Sequence, residues 1–374
     1  MNFFTANCQQ TMHKGLKLLV TGGGTGGHLF PAVAMAEAVL QGQPGSEVLF
    51  VGTSRHMDTA TLSRLGFKTT AIRCQGLKGK GLSAKLRTLF ELPLSILEAR
   101  RVIRRFGPDL VFGVGGYVTG PVILAARLLG IATCIHEQNS VPGLANRLLG
   151  RIAEKIFVSI PGSERYFPSA KTILTGNPVR REILALAGSA PDNRETMTLL
   201  ILGGSQGAHR VNTLVLEAIE SMVASLPDNL RIIHQTGADD KETVQAAYAR
   251  LGIKAWVLAF FQNMPEVYRQ ADVVISRAGA TTLAELMVLG KPAILIPYPF
   301  AADNHQELNG RYLVENGAAR MFRQADLTGG KLGNEIGVLL RDEKLRSVLA
   351  MNMKKLSRPA ATAAIVREAL ALVH

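Results

Sequence analysis

The 374-residue sequence predicts a doubly wound parallel α/β architecture, built twice as Rossmann-like halves that face a shared cleft. Three observations carry that reading. Short apolar runs alternate with segments of helical periodicity, glycine-rich loops follow several of the runs, and the whole alternation restarts near the middle of the chain. Size scaling agrees, because a chain this long divides into domains of about 150 to 200 residues.

In the first half, strands are expected at 18–21, 48–51, 109–114 and 132–136, with a helix at 31–40 after the first glycine loop. In the second half, strands are expected at 199–202, 232–235, 255–258, 273–276 and 293–296. Pro178 and the glycines around it interrupt both periodicities, which places a hinge at 176–179. The resulting division is a tail at 1–15, a first domain at 16–178 and a second at 179–356. A last helix at 357–374 is expected to cross back to the first domain.

Composition narrows the function. Hydrophobic residues at 47% and charged residues at 19% describe a folded chain rather than a disordered one. A net charge of +13 calls for an anionic partner: nucleic acid, a phospholipid surface or a phosphorylated substrate. Nucleic acid fits poorly, since aromatics total 6% and no basic stretch is interleaved with stacking rings. Cys8, Cys74 and Cys134 stand far apart without metal-ligand spacing, so neither a disulfide framework nor a zinc site is expected. No apolar run of about 18 residues exists, and residues 1–15 lack the apolar stretch of a secretory signal.

Three loops carry the chemistry. Residues 22–28 read GGGTGGH between a strand and a helix, where bare amides and the helix dipole favour an anion. The spacing also satisfies the dinucleotide fingerprint, but that site needs an acid ending the second strand, and this one ends Phe50-Val51-Gly52-Thr53. Two further loops, 113–121 and 203–208, suit a cleft gripping two phosphorylated ligands.

Taken in order, Gly23-Gly24-Thr25-Gly26-Gly27-His28 with Phe30-Pro31, Gly115-Gly116-Tyr117 through Pro121, His136-Glu137-Gln138-Asn139, Gly176-Asn177-Pro178-Val179-Arg180, Gly203-Gly204-Ser205-Gln206-Gly207-Ala208, Arg277-Ala278-Gly279-Ala280-Thr281-Thr282 and Asp303-Asn304-His305-Gln306 with Asn309 resemble one family closely. It is the MurG-type UDP-N-acetylglucosamine:lipid-linked muramyl-pentapeptide N-acetylglucosaminyltransferases, of the GT-B fold. The resemblance implies UDP-GlcNAc in the second half and an undecaprenyl-pyrophosphoryl-linked muramyl-pentapeptide in the first. It implies donor contacts from Thr25, Gly26, Gly27, Asn139, Arg180, Ser205, Phe261, Ala280, Thr281, Thr282, Leu283, Glu285, His305 and Gln306. Ser205 and the amides after it would meet the diphosphate beside the Arg180 cation, and Glu285 the ribose diol. Phe261 stands at the uracil position, an aromatic where an aliphatic is expected, while His305 and Gln306 stand where the sugar hydroxyls are read. Tyr117 belongs with the acceptor.

The family's reaction inverts the anomeric carbon, turning an α-linked nucleotide into a β-linkage to the muramyl C4 hydroxyl, the step from lipid I to lipid II in peptidoglycan synthesis. A single displacement needs a base and stabilisation of the departing UDP. His28 is the first choice and Glu137 the competitor, with both assignments open at this level. Asp239-Asp240 lacks the Asp-x-Asp spacing of metal-holding transferases, so no metal and no cofactor are expected.

Between Lys78 and Arg105 stand eight basic residues against Glu91 and Glu98, which accounts for six of the thirteen net charges. Leu82, Leu86, Leu89, Phe90 and Leu94 are interleaved with Lys85 and Arg87 at near-helical spacing. That is the pattern of an element docking on anionic lipid, with about 1 kcal/mol per basic residue near the surface, and the resemblance implies that the surface is the cytoplasmic face of an inner membrane. An ordinary amphipathic helix packed on the core is the plainer reading. Two other functions are compatible with the chain: a UDP-GlcNAc epimerase of the same fold, which needs no lipid-facing patch, and a non-catalytic binding module.

Overall fold

The computed structural model describes residues 15–22, 26–53, 56–74, 82–188, 195–204 and 207–373, with 26, 56–58, 60 and 82–91 as backbone only. Thr25 and Ser205 therefore lie outside the described residues, and so do the side chains of Leu82, Lys85, Leu86, Arg87 and Phe90.

The first sheet contains β1 (Lys17–Thr21), β2 (Glu47–Gly52), β3 (Lys68–Ala71), β4 (Leu110–Gly113), β5 (Ala132–Glu137), β6 (Lys155–Val158) and β7 (Thr172–Leu174). Its order is β3-β2-β1-β4-β5-β6-β7, and every pairing is parallel. The second contains β8 (Met197–Leu202), β9 (Leu230–Gln235), β10 (Ala255–Leu258), β11 (Val273–Ser276), β12 (Ala293–Leu295) and β13 (Arg320–Met321), in the order β10-β9-β8-β11-β12-β13, again all parallel. Both sheets are doubly wound, as the alternating pattern predicts.

Helices cover both faces. Around the first sheet run α1 (Gly26–Gly42), α2 (His56–Arg64), α3 (Leu82–Phe106), α4 (Thr119–Leu128) and α5 (Leu144–Leu149). Around the second run α6 (Arg181–Leu186), α7 (His209–Met222), α8 (Lys241–Arg250), α9 (Met264–Gln270), α10 (Ala280–Leu289), α11 (His305–Glu315), α12 (Gly329–Arg341) and α13 (Glu343–Leu356). The strands are near-continuous apolar runs because successive side chains feed opposite cores. Leu18 and Val20 enter one core while Leu19 enters the other; Leu199 and Ile201 enter a third while Leu200 enters the fourth. Each such fully buried side chain contributes about 1.5–3 kcal/mol.

The chain returns at its end. α14 (Ala361–Leu370) places Ile365 and Ala369 in the core that also holds Val33, Met35 and Val39 of α1. Two departures from the sequence reading touch the site. The sequence reading starts the last helix at Ser357, but Ser357 to Ala360 connect α13 to α14, which begins at Ala361. And α1 begins at Gly26, inside the glycine loop, so His28 lies in the first helical turn. Pro31 is tolerated in the helix because it falls near the start, yet its missing N–H leaves the Gly27 carbonyl without its helical donor four residues on.

Candidate active site

In each sheet the order reverses at one point, between β1 and β4 in the first and between β8 and β11 in the second. Ligands of such sheets bind outside the strand C-termini at that crevice. At these two points the described residues are Gly22 and the start of α1 with loop 114–118 in the first domain, and Gly203, Gly204, Gly207 and Ala208 with loop 277–279 in the second. They are the sequence's glycine loops, joined by the segment that opens α10.

The two crevices meet. Thr281, in the first turn of α10, donates its hydroxyl to the Gly27 carbonyl at 2.7 Å, filling the vacancy left by Pro31. Asn177 of the hinge donates to Thr281 Oγ1 at 3.3 Å. Nearby, the Ser140 amide and hydroxyl both donate to Asn309 Oδ1 at 2.9 Å, and Asn309 Nδ2 donates to Asn139 Oδ1 at 3.1 Å and to the Ala278 carbonyl at 3.2 Å. Asn309 is completely buried by these partners, so Asn139 serves the junction of the domains as well as standing in the rim.

His28 sits over the second loop. Gly115 has φ +98°, a conformation costly for other residues, and a Cβ there would come within 3.1 Å of His28 Cε1. His28 Nδ1 is 3.0 Å from Gln138 Oε1, and Gln138 Nε2 donates to the Val114 carbonyl at 3.0 Å and to His136 Nδ1 at 3.1 Å. His136 is fully buried between Ser159 (3.1 Å) and the Gly176 carbonyl (3.2 Å), and burial pushes its pKa down to about 4. It is neutral throughout the ordinary range.

Glu137 is enclosed by donors of its own loop. Its Oε1 accepts from the Asn139 amide (2.9 Å) and Nδ2 (3.1 Å), and its Oε2 from the Gly143 amide (3.3 Å) and Asn146 Nδ2 (2.9 Å). Only 2% of the residue is exposed. The carboxylate braces the loop from β5 to α5.

On the second-domain side, Arg180 and Glu285 are paired with each other. Arg180 donates through Nη2 (2.8 Å) and Nε (3.2 Å) to Glu285 Oε1, and its guanidinium lies 4.2 Å from the Phe30 ring centroid of α1. Glu285 Oε2 accepts from the Tyr268 hydroxyl at 2.9 Å. Burial first, and then the Glu285 carboxylate, raise the Tyr268 phenol well above its usual pKa. A carboxylate offers about four acceptor positions, and these three bonds leave one of them open.

The remaining donor-site residues divide by exposure. The Phe261 ring is buried, edge-on to Trp256 at 4.8 Å, and its amide donates to Gln235 Oε1 at 3.0 Å. Phe261 thus packs its ring into the core, and the neighbouring Phe260, 43% exposed, is the ring at the surface. Gln235 Nε2 also donates to the Gly204 carbonyl at 3.0 Å, which ties that strand end to the third glycine loop. Gly207, at φ +77°, has no room for a Cβ, with the Thr236 carbonyl oxygen 2.6 Å away. Ala280 and Leu283 are buried, so only their backbone is available to a ligand; Thr282 is half-buried.

His305 Nδ1 bonds the Ala302 carbonyl at 2.7 Å and Gln306 Oε1 accepts from the Tyr298 amide at 3.0 Å. Both open α11 after Asp303 (φ 49°) and Asn304 (φ 53°), two left-handed residues in succession, where stored strain is characteristic of a ligand clamp. Asn304 is pinned to Glu307 Oε2 at 2.8 Å, and Arg323 and Asn304 together hold the Glu307 carboxyl down at about 2. Tyr117 is 49% exposed beyond β4. Among the described residues no group of three or more His, Cys, Asp or Glu side chains is arranged to hold a metal.

Sequence reasoning missed Asn146, Tyr268, Gln235 and the bridging role of Thr281. Only Thr281 carried a signal, lying in the segment that follows β11.

The glycosyltransferase family 28 N-terminal domain matches residues 18–158 and the family 28 C-terminal domain residues 198–366. The UDP-N-acetylglucosamine--N-acetylmuramyl-(pentapeptide) pyrophosphoryl-undecaprenol N-acetylglucosamine transferase of Desulfotalea psychrophila is 49% identical over 96% of this chain and 97% of its own length. Its namesake from Geobacter sulfurreducens is 44% identical over 95% of this chain and 98% of its own. The crystal structure of Acinetobacter baumannii MurG has a TM-score of 0.75 at 31% identity, covering 95% of this chain and 99% of that one. A Neisseria meningitidis UDP-GlcNAc 2-epimerase bound to UDP-GlcNAc reaches a TM-score of 0.66 at 16% identity, over 95% of this chain and 100% of that one, a likeness of fold alone. Aligned nearly end to end with such transferases, and built like them from two facing doubly wound sheets, the chain belongs to the MurG-type N-acetylglucosaminyltransferases of glycosyltransferase family 28.

Proposed function

We propose that this chain moves N-acetylglucosamine from UDP-GlcNAc to the C4 hydroxyl of a lipid-linked N-acetylmuramyl-pentapeptide, with inversion at the anomeric carbon. One observation carries the reading: the crevices of the two sheets open onto each other at the Thr281–Gly27 bond, with His28 one residue away. In the proposed reaction, His28 Nε2 takes the proton of the C4 hydroxyl as its oxygen bonds the anomeric carbon. The carbon–oxygen bond to UDP breaks and its electron pair leaves on the diphosphate. The amides opening α7 and α10 face that growing charge, with Arg180 beside them. Glu285 receives the ribose, and His305 and Gln306 read the sugar hydroxyls. Transfer of labelled GlcNAc to the lipid-linked muramyl acceptor tests this; interconversion of UDP-GlcNAc with its C2 epimer instead of transfer would favour the epimerase.

Membrane docking is supported by α3. Its inner face buries Ser95, Ala99 and Ile103, while Leu92, Leu94 and Leu97 are 39%, 59% and 47% exposed beside the exposed Arg100, Arg101, Arg104 and Arg105. On α5, Leu144 and Leu148 are also exposed, at 69% and 53%. Among the described residues no helix is long and apolar enough to cross a membrane. The proposal is peripheral attachment to an anionic bilayer at the cytoplasmic face of the inner membrane. Liposomes rich in anionic lipid are expected to retain the protein at low salt, and equal retention on neutral liposomes would remove the charge component.

A further inference from the structure

The orientation of one amide determines which nitrogen of His28 can accept a proton. Gln138 Nε2 lies 3.0 Å from the Val114 carbonyl, which can only accept, so that end of the side chain is the NH2 donor. The other end, Oε1, therefore faces His28 Nδ1 at 3.0 Å, and Nδ1 must carry the hydrogen. In the neutral ring the lone pair is then on Nε2, for which the described residues supply no partner. The same reasoning continues inward. Gln138 Nε2 also reaches His136 Nδ1 at 3.1 Å, so His136 holds its hydrogen on Nε2 and donates to the Gly176 carbonyl at 3.2 Å. Three consecutive bonds, from the glycine loop to the hinge, agree on one set of proton positions.

We propose that Gln138 is a positioning residue that locks His28 with its proton on Nδ1 and its lone pair on Nε2, the form required of the base. This rests on the transferase reading above. The surroundings do not compete for the ring: His136 is neutral, Glu137 is closed by its own four donors, and Arg180 and Glu285 are paired with each other. Gly115 supplies bare backbone beneath the ring, and Asn146 Nδ2 stands 3.5 Å from where a Gly115 Cβ would be.

The first measurement uses the unmodified protein: two-bond proton–nitrogen correlation spectra of the 15N-histidine-labelled chain, with the His28 signals assigned by their loss in His28→Asn. An Nδ1–H form at neutral pH is expected, and an Nε2–H form overturns the proposal. The second is a pair of variants. Gln138→Met removes the acceptor and is expected to lower kcat about tenfold or more while the KM for UDP-GlcNAc stays within about twofold. Gln138→Glu keeps an acceptor but adds charge, so activity returns in part and the acid limb of the kcat/KM profile moves to higher pH. Full turnover in Gln138→Met, or an acid limb unmoved in Gln138→Glu, overturns it. Because the spectra do not depend on turnover, absence of transfer by the wild-type protein would count against the transferase reading and leave the tautomer assignment to be judged separately.

Discussion

The two crevices share one topology and carry opposite kinds of chemistry. The first-domain crevice is lined by a hydrogen-bonded chain, His28, Gln138, His136 and the Gly176 carbonyl. The second-domain crevice is ionic, with Arg180 against Glu285 and, farther along, Glu307 between Arg311 and Arg323. Strand order cannot account for the contrast, since both sheets reverse at the same place in their winding. The residues attached at the strand ends do. A hydrogen-bond chain through imidazoles and an amide suits the handling of one proton, whereas fixed charge suits the grip on an anion, which is the division of labour proposed for the halves.

The largest expected effect lies on the first-domain side. His28→Ala is expected to reduce turnover by about 100-fold with UDP affinity retained, measured by single-turnover transfer and calorimetry. Unchanged turnover would remove the ring from the mechanism. On the ionic side, Glu285→Ala strands Arg180 and the Tyr268 hydroxyl in a buried setting, at a cost of about 3–5 kcal/mol in denaturant unfolding. UDP affinity is expected to fall as well, and a variant that loses stability alone would break the link between the pair and the nucleotide.

Acid sharpens the same comparison. His136 is held at about 4 and His234, buried against Tyr248 and Asn212, at about 3, both below the unfolded imidazole value near ~6.5. The unfolded chain therefore binds more protons, and the stability these rings contribute, present above pH ~6.5, is lost as pH falls toward 4 and 3. The loss is on the order of 3–5 kcal/mol per ring. Glu307, held at about 2, contributes in a lower window, with stability present above the unfolded carboxyl value near ~4.3 and lost as pH falls toward 2. Thermal melts from pH 7 to 3 are expected to decline first by the histidine route, and His136→Gln should flatten that early decline. Smallest is Thr281→Val, which removes the hydroxyl's bonds to the Gly27 carbonyl and from Asn177, worth about 1 kcal/mol each, and should broaden the distribution of interdomain distances in solution.

Fold class was legible because both sheets are buried on both faces, so apolar runs such as 199–202 stand out from their surroundings. What sequence could not supply was the destination of each polar atom. Glu137 looks like a base until its partners two, six and nine residues on are seen closing its carboxylate. Arg180 and Glu285, 105 residues apart, look like separate ligand contacts until the fold brings them together. Phe261 differs again: the sequence shows an aromatic after β10 but not which way its ring turns, and the fold points it inward and leaves Phe260 outside. Local pattern specifies elements, while hydrogen-bond satisfaction is decided by tertiary contacts.

Pro31 gives the contact between the lobes an unexpected origin. The imino acid withholds a hydrogen from its own helix, and the oxygen thus left over becomes a socket for a hydroxyl from the far lobe. Restoring an ordinary residue, as in Pro31→Ala, would improve the helix locally and set an internal donor in competition with Thr281. Tightening one secondary-structure element would then slacken the joint of the whole molecule.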